Sequence, residues 1–287
     1  MTDDDHAAGA SQAAIEAHYD VGNEFYKLWL DETLTYSAAL WDGPDDTRGL
    51  GAAQAAKIAW HLQQAEVVKA RRVLDIGCGW GATLKACAAL LNVVSGIGLT
   101  LSPAQAAYAA SLGNPKLEVH VENWQQHKPA ALYESIISIG AFEHFTKPTD
   151  EAAAKIAIYR DFFGHCRGWL DSRGAMSLQT IAYGSLSRDD PSVALMSQIF
   201  PESDLPMLEE IVMACAGLFE IVSLRNDRLD YSRTCEIWAS NLRARRAEAG
   251  ALVGPDQLRR YERYLKLSAM GFLTGKLWLL RFKLKPV

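Results

Sequence analysis

Short apolar runs alternate with helical stretches from residue 73 onward. The runs at 73–76, 93–97, 117–121, 135–139 and 175–181 predict buried strands, with helices between them. Such alternation is typical of βαβ units around a parallel sheet. The pattern therefore predicts a doubly wound α/β fold. Beyond it we predict a helix at 207–216, a strand at 219–224, helices at 231–246 and 255–268, and a last strand at 277–284.

The first 70 residues precede this pattern and predict a separate region. Apolar spacing between residues 11 and 30 predicts two short helices parted near Gly22, and a longer helix is predicted at about 52–70. We therefore predict residues 1–70 as an N-terminal tail and helical cap, and residues 71–287 as the core. Glycine and proline interrupt 182–206, which we predict to be an insertion in the core that carries one short helix.

Composition narrows the classes of function. The chain has 287 residues, 49% of them hydrophobic, and a net charge of −5, which excludes a disordered chain and a general nucleic-acid-binding field. The charge is uneven, because residues 1–50 hold eleven acids and two bases, whereas 259–287 hold eight bases and one acid. The basic end indicates either a solvated face or a site for an acidic carrier protein or an anionic lipid.

The cysteines and the N-terminus indicate a reducing compartment. The five cysteines are widely spaced without a C-x-x-C pair, so we predict neither disulfides nor a metal site. Acidic residues stand where an export signal would be basic, and the longest apolar stretch is shorter than the ~20 residues of a membrane span. We therefore predict a cytoplasmic protein without a transmembrane segment.

A glycine-rich turn follows the first predicted strand and begins a helix, in the sequence Asp75-Ile-Gly77-Cys-Gly79-Trp-Gly81-Ala82. Such a turn lets a ligand approach the backbone at a helix N-terminus. Gly77-x-Gly79-x-x-Ala82 fits a dinucleotide fingerprint, but the acid expected about 20 residues later is missing. A turn that serves helix packing alone is the structural alternative. The segment instead resembles the first motif of class I S-adenosylmethionine-dependent methyltransferases.

Four further segments make this resemblance specific. HYDVGNEFY at 18–26, TYSAALW at 35–41, GLTLSPAQ at 98–105 and SIGAFEHF at 138–145 resemble the cyclopropane fatty acid synthase family, which includes the mycolic acid cyclopropane synthases. The resemblance implies a Rossmann-like class I methyltransferase sheet with an N-terminal helical cap and a C-terminal antiparallel strand. It also implies S-adenosyl-L-methionine as the cofactor.

The resemblance implies a set of cofactor-binding residues. Gly77 and Gly79 would lie under the methionine end, Gln105 near the ribose, and Trp124 beside the adenine. Two of these have structural alternatives, because Gln105 completes a predicted capping box with Ser102, and Trp124 could be a core residue. The full set is Tyr36, Ser37, Asp75, Gly77, Gly79, Thr100, Leu101, Gln105, Asn123, Trp124 and Gly140.

The resemblance also implies the reacting groups. Glu143 and Tyr231 match a polar site that holds bicarbonate, the base proposed for the family, and His144 is a further candidate base. Glu143 could instead accept a proton itself, bind an amine, or only cap a helix. Gln179 stands where many mycolic-acid enzymes have histidine. We expect Tyr19 to cover the cofactor, and we expect Phe142, Phe145 and Tyr231 to stabilise a carbocation.

These features predict a methyltransferase that acts on an alkene carbon of an acyl chain or another apolar unsaturated substrate, through a carbocation. The product would be a cyclopropane or a methylated alkene. The alternative is an N- or C-methyltransferase of specialised metabolism with an amine, polyene or prenyl acceptor. A non-catalytic cofactor-binding or lipid-carrier protein is a third hypothesis, which intact Glu143 and glycine positions disfavour.

Overall fold

The computed structural model describes residue 11, residues 21–188, residue 190 and residues 202–287. Seven strands form one sheet in the order β3-β2-β1-β4-β5-β7-β6. The last strand runs antiparallel to both neighbours, and the first five pair in parallel. The predicted α/β class with its C-terminal antiparallel strand is confirmed. The strands are β1 (Arg72–Ile76), β2 (Ser95–Thr100), β3 (Leu117–Val121), β4 (Tyr133–Ile139), β5 (Leu170–Tyr183), β6 (Phe219–Asn226) and β7 (Leu277–Pro286).

The last two helices of the chain pack on each other and on β7. Short 3-10 turns occur at Val67–Lys69, Trp124–Gln126 and Phe142–His144. None of the helices in the described part of the chain has the length and apolar character needed to cross a membrane. The α-helices are α1 (Asn23–Lys27), α2 (Leu50–Gln64), α3 (Ala82–Ala88), α4 (Pro103–Ser111), α5 (Ala152–Trp169), α6 (Leu208–Cys215), α7 (Arg228–Ala244) and α8 (Arg246–Leu273).

Several predicted boundaries differ from the structure: the helix predicted at about 52–70 ends at Gln64, and the strand predicted at 175–181 begins at Leu170. Strand β2 begins and ends later than predicted, because Gly96 and Gly98 pack under α3: a Cβ on Gly98 would lie 2.5 Å from Leu84 Cδ1. Close helix packing here outweighs the weak strand preference of glycine. Helix α8 covers residues 247–254, which we predicted to separate two helices. It is kinked at Gly254, which has a φ of 78° and is followed by Pro255. Proline can begin the second helical segment because the first turn requires no N–H donor from it.

The described N-terminal segment packs against the C-terminal helices. Phe25, Tyr26 and Trp29 share a buried cluster with residues of α7 and α8. Tyr26 and Tyr261 are joined by a 3.0 Å hydrogen bond between their hydroxyls, and the Trp29 and Trp238 rings lie 5.7 Å apart. Residues of the predicted N-terminal region and of the predicted core therefore share one buried cluster, and the division at residue 70 stays a prediction.

A buried arginine on β7 connects the two ends of the chain. Arg281 is fully buried, pairs with Asp227 at 2.6 Å, and donates to the carbonyls of Ala38 and Ala39 at 3.2 and 2.9 Å. Lys283 and Lys285 both pair with Glu66, at 3.2 and 2.9 Å. These three basic residues of the last strand thus serve internal contacts and do not form a free basic face.

Candidate functional site

The glycine turn lies where the sheet order reverses. Strands β1 and β4 are neighbours in the sheet, but the connection that leaves β1 leads to β2 on one side and the connection that leaves β4 leads to β5 on the other, and such a point opens a crevice at the carboxyl ends of the strands. The N–H groups of Gly77 and Cys78 both donate to the Leu99 carbonyl at 2.9 Å, which fixes the turn on β2. Gly77 and Gly79 have φ of 79° and 55°, a region that glycine adopts without strain.

Two cavities adjoin at this edge of the sheet. The loop cavity is lined by the glycine turn and the ends of β1, β2 and β4. The apolar cavity lies between β5, β7 and the C-terminal helices. Tyr36, Ser37, Gly140 and His144 line both of them. A ligand in one cavity can therefore approach a ligand in the other across these four residues.

The loop cavity contains all the residues predicted to bind the cofactor. Thr100 donates from Oγ1 to Gln105 Oε1 at 2.8 Å, and Ser102 Oγ accepts from the Gln105 N–H at 3.3 Å. Gln105 thus belongs both to the helix cap and to the cavity wall. Trp124 likewise meets both alternatives, because it lines the cavity and also packs in the core against Phe162, with ring centroids 5.4 Å apart.

Buried charge lies beneath the loop cavity. Lys57 lines it and donates to Ser37 Oγ at 3.0 Å, and burial together with the Arg281 charge lowers the pKa of Lys57 to about 7. Burial raises the pKa of Asp75 to about 7. The Oδ2 atom of Asp75 is buried and has no hydrogen-bond partner among the described residues. This orphaned acceptor in the cavity wall is suited to a donor group on a bound ligand.

The apolar cavity has one carboxyl group at its junction with the loop cavity. Glu143 is 5% exposed, and burial raises its pKa to about 7. The Thr180 hydroxyl donates to Oε2 at 3.0 Å and the Ile181 N–H donates to Oε1 at 3.5 Å. Around it the walls are mostly hydrophobic or aromatic. They include Ile181, Tyr183, Leu205, Tyr231, Tyr264, Phe272, Leu277 and Leu279.

His144 and Gln179 are held by neighbouring side chains. His144 Nδ1 lies 2.7 Å from Ser203 Oγ, and burial lowers the pKa of His144 to about 4. A neutral imidazole with so low a pKa is a poor proton acceptor near neutral pH. Gln179 lines the apolar cavity, but its Oε1 accepts from Arg281 Nε at 2.7 Å and lies 3.2 Å from His61 Nε2.

The three aromatic residues predicted to surround a carbocation do not line the same cavity. Tyr231 lines the apolar cavity and stacks on Phe272, with centroids 4.4 Å apart. Phe145 lines the loop cavity instead. Phe142 lines neither cavity, because its fully buried ring stacks on Tyr159 in the core. Successive residues of a helical turn point in different directions, and Phe142 points into the core. Tyr19, the predicted lid, lies outside the described residues.

Sequence reasoning missed several residues of the site. Gln54, Lys57 and His61 all lie on one face of α2, and each is at most 1% exposed. Gln54 Nε2 donates to the Ser37 carbonyl at 2.8 Å, and His61 Nδ1 lies 2.8 Å from Ser177 Oγ. The signal was a polar stripe at helical spacing within a stretch rich in alanine. Tyr264 and Phe272 gave no comparable signal in the sequence.

The residues present fit S-adenosylmethionine. The turn leaves open space at Gly79, where an added Cβ would meet nothing within 4 Å, and Asp75 offers an unsatisfied acceptor. Thr100 and Gln105 offer short polar groups of the kind a ribose requires, and Trp124 offers an aromatic surface. Backbone carbonyls and aromatic rings suit a sulfonium cation.

Comparisons with known proteins agree with this geometry. The profile of the family "Mycolic acid cyclopropane synthetase" matches residues 6–282. Cyclopropane mycolic acid synthase 2 of Mycobacterium bovis is 32% identical over 272 residues, which cover 88% of this chain and 87% of that protein. The counterpart from Mycobacterium leprae is 34% identical over 274 residues, covering 88% and 86%.

Solved structures show the same likeness. The cyclopropane synthase MmaA2 from Mycobacterium tuberculosis superposes with a TM-score of 0.85 at 29% identity, over 96% of this chain and 98% of that one. The mycolic acid cyclopropane synthase CmaA1, solved with SAH and CTAB, gives the same TM-score, identity and coverage. Coclaurine N-methyltransferase shares the fold, with a TM-score of 0.80 at 21% identity over 98% of this chain and 84% of that one. The chain belongs to the mycolic acid cyclopropane synthetase family and is an S-adenosylmethionine-dependent methyltransferase of the cyclopropane synthase type.

Proposed function

We propose that this enzyme transfers a methyl group to an alkene carbon of an acyl chain and forms a cyclopropane ring. The observation that carries the proposal is a mostly apolar cavity with one buried carboxyl, Glu143, which adjoins the cofactor-binding cavity through four shared residues. Hydrophobic walls suit an acyl chain better than a polar acceptor. The relative CmaA1 was solved with CTAB, a lipid-like molecule, in addition to SAH.

The cofactor role is divided among the residues of the loop cavity. When bound, S-adenosylmethionine supplies an electrophilic methyl group on a sulfonium sulfur. Gly77, Gly79 and Asp75 would hold its methionine end, Thr100 and Gln105 its ribose, and Trp124 its adenine. Lys57 holds Ser37 in the wall shared by the two cavities. A fixed wall would hold the methyl donor and the acceptor in line, and such alignment accounts for much of the rate acceleration in group-transfer reactions.

The aromatic rings of the apolar cavity would stabilise the positive charge that forms on the acceptor. An alkene that gains a methyl group becomes a carbocation, which the rings of Tyr231, Tyr264 and Phe272 would stabilise. The mostly apolar walls would limit its capture by water. Loss of one proton from the added methyl group then closes the cyclopropane, and loss from the chain leaves a methylated alkene.

Glu143 would receive that proton. Because its pKa lies near 7, it is ionised for much of the time at neutral pH and can still bind a proton. It would act directly or through a bicarbonate bound beside it and Tyr231. His61 and Arg281 engage Gln179, so this glutamine has less capacity to hold a bicarbonate than a free side chain would.

The proposal predicts a specific product. Protein incubated with S-adenosylmethionine and a cis-unsaturated acyl substrate should give a product heavier by one methylene unit, detected by mass spectrometry. A cyclopropane survives mild hydrogenation, whereas a methylated alkene takes up hydrogen. A saturated acyl chain of equal length is the control.

The same assay tests the alternative acceptors. A panel of amines, polyenes and prenyl compounds offered in parallel should remain unmethylated. Transfer to an amine, with the unsaturated acyl chain unchanged, would overturn the proposal and would assign Glu143 to amine binding. Activity that persists after bicarbonate depletion would assign proton removal to Glu143 itself.

A surface next to the apolar cavity suits an anionic lipid. A groove between α7 and α8 has more basic than acidic residues in its lining, and Tyr264 belongs both to this groove and to the apolar cavity. Its bases are Arg243, Arg259, Arg260, Arg263 and Lys266, and its acids are Glu236, Asp256 and Glu262. Helix α8 exposes three apolar side chains near the bases, Leu267, Met270 and Leu273. Adjacent basic and apolar exposure is typical of helices that lie on anionic membranes. We propose that this groove receives the lipid whose acyl chain enters the cavity.

Reversing charge in the groove should release the protein from lipid. The variant Arg260→Glu/Arg263→Glu should bind anionic phospholipid vesicles about 30-fold more weakly than the unmodified protein in a sedimentation assay, since each of the two bases contributes about 1 kcal/mol near such a surface. Arg71→Glu/Arg173→Glu, at two exposed sites away from the groove, changes the net charge by the same amount and is the matched control. Equal sedimentation of both variants, or retention by an acidic acyl carrier protein in place of vesicles, would contradict the lipid proposal.

A further inference from the structure

A histidine–carboxylate cluster lies outside the reacting groups, at the carboxyl end of β3. Candidate ligand atoms of His120, Glu122 and His127 all lie within 4.8 Å of one another. Glu122 Oε1 is 3.4 Å from His120 Nδ1 and 2.5 Å from His127 Nδ1. The Nδ1 atoms of two histidines thus converge on one carboxylate oxygen.

The distal nitrogen of each histidine is also held. His120 Nε2 lies 2.9 Å from Glu118 Oε1, and His127 Nε2 lies 2.9 Å from the Tyr133 hydroxyl. If each Nε2 carries the proton and donates it, each Nδ1 has a free lone pair directed at the cluster. A hydrogen bond to the far ring nitrogen is the usual support of a histidine that binds a metal.

We propose that His120, Glu122 and His127 form a binding site for Zn²⁺. Two imidazoles and a carboxylate are a common set of three protein ligands for this ion, and a water molecule completes the tetrahedron. Ligands at about 2.1 Å from zinc stand roughly 3.4 Å apart. The separation of His120 from Glu122 already meets this value. The separation of His127 from Glu122 must widen by about 1 Å, which rotation of the glutamate side chain provides.

The position of the site gives the ion a structural role. Glu122 and Trp124 line the loop cavity, and Trp124–Gln126 forms the turn between the two outer ligands. Zinc therefore joins the end of β3 to the turn that carries Trp124. A ligand that binds only the folded state raises its stability, so zinc should stabilise this part of the cofactor-binding wall.

Zinc titration of tag-free, chelator-treated full-length protein tests the site. We expect one Zn²⁺ per chain in competition with a chromophoric chelator. His120→Asn should bind far more weakly, and Glu118→Ala, which removes only the hydrogen-bond acceptor for His120 Nε2, should lose about 10–100-fold in affinity. His165→Asn is the matched control, because the His165 and His120 side chains are both 34% exposed.

Thermal unfolding gives a readout that does not depend on catalysis. Zn²⁺ should raise the Tm of the unmodified protein and of His165→Asn, but not that of His120→Asn, whose circular dichroism without zinc should match that of the unmodified protein. The proposal is overturned if the unmodified protein takes up no zinc, or if His120→Asn and His165→Asn bind it equally.

Discussion

Replacing Glu143 with glutamine should lower the turnover number of methyl transfer by about 100-fold or more, the usual contribution of a positioned proton acceptor. Glutamine keeps the size of the side chain and its contact with Thr180, but it cannot take a proton from the acceptor or hold a bicarbonate as a carboxylate can. The Kd for S-adenosylhomocysteine, measured by calorimetry, should change little, because Glu143 lines the apolar cavity and not the loop cavity.

The pH dependence gives an independent test of the same residue. Because burial raises the pKa of Glu143 to about 7, turnover should increase as the pH rises through 7 and the carboxyl loses its proton. This rise should be absent in Glu143→Gln. Glu220→Gln, at an exposed site on β6, is the control and should retain the full rate and the full profile. An unchanged rate in Glu143→Gln would remove the residue from the mechanism.

Replacing Gly79 with aspartate should reduce affinity for S-adenosylhomocysteine by about 100-fold or more, or roughly 3 kcal/mol. The backbone at φ 55° tolerates aspartate better than most residues, and an added Cβ would meet nothing within 4 Å. The protein should therefore fold, but a charged side chain would occupy the space that the cofactor requires. Calorimetric titration measures the loss.

Variants at two other glycines complement Gly79→Asp, one as a control for binding and one as a test of packing. Gly113 is exposed, has a φ of 65° and equally open surroundings, and lies away from the loop cavity, so Gly113→Asp should bind normally. Gly77→Ala tests packing instead, because its Cβ would lie 2.4 Å from the Ala141 Cβ; its Tm should fall. Normal binding by folded Gly79→Asp would contradict the assignment of the loop cavity to the cofactor.

The fold could be predicted from the sequence because its strands are short, buried and separated by helices. The apolar runs at 117–121 and 135–139 coincide with or lie within β3 and β4. What failed depended on distant contacts. The internal contacts of the last strand could not be predicted from the sequence, since the burial of Arg281 requires Asp227 and the carbonyls of Ala38 and Ala39. The residues next to Arg281 in the sequence do not show which distant groups it contacts.

The site was predicted best where function constrains the backbone. Gly77, Gly79 and Gly140 all adopt positive φ and line the loop cavity. Side-chain direction was harder to predict, because a single 3-10 turn sends Phe142 into the core and Glu143 into the apolar cavity. The cysteine pattern had no bearing on the proposed zinc site, whose three ligands come together only through the turn after β3.

The contact between Arg281 and the N-terminal segment affects how the protein matures during synthesis. Arg281 meets Ala38 and Ala39 across more than 240 residues of sequence. Tyr36 and Ser37, just before these carbonyls, form the wall shared by the two cavities. A nascent chain emerges from its N-terminus, so this wall lacks its support until the last strand leaves the ribosome. Chains truncated before β7 should therefore never acquire a complete methyl-transfer site, even where the sheet around β1 has already formed.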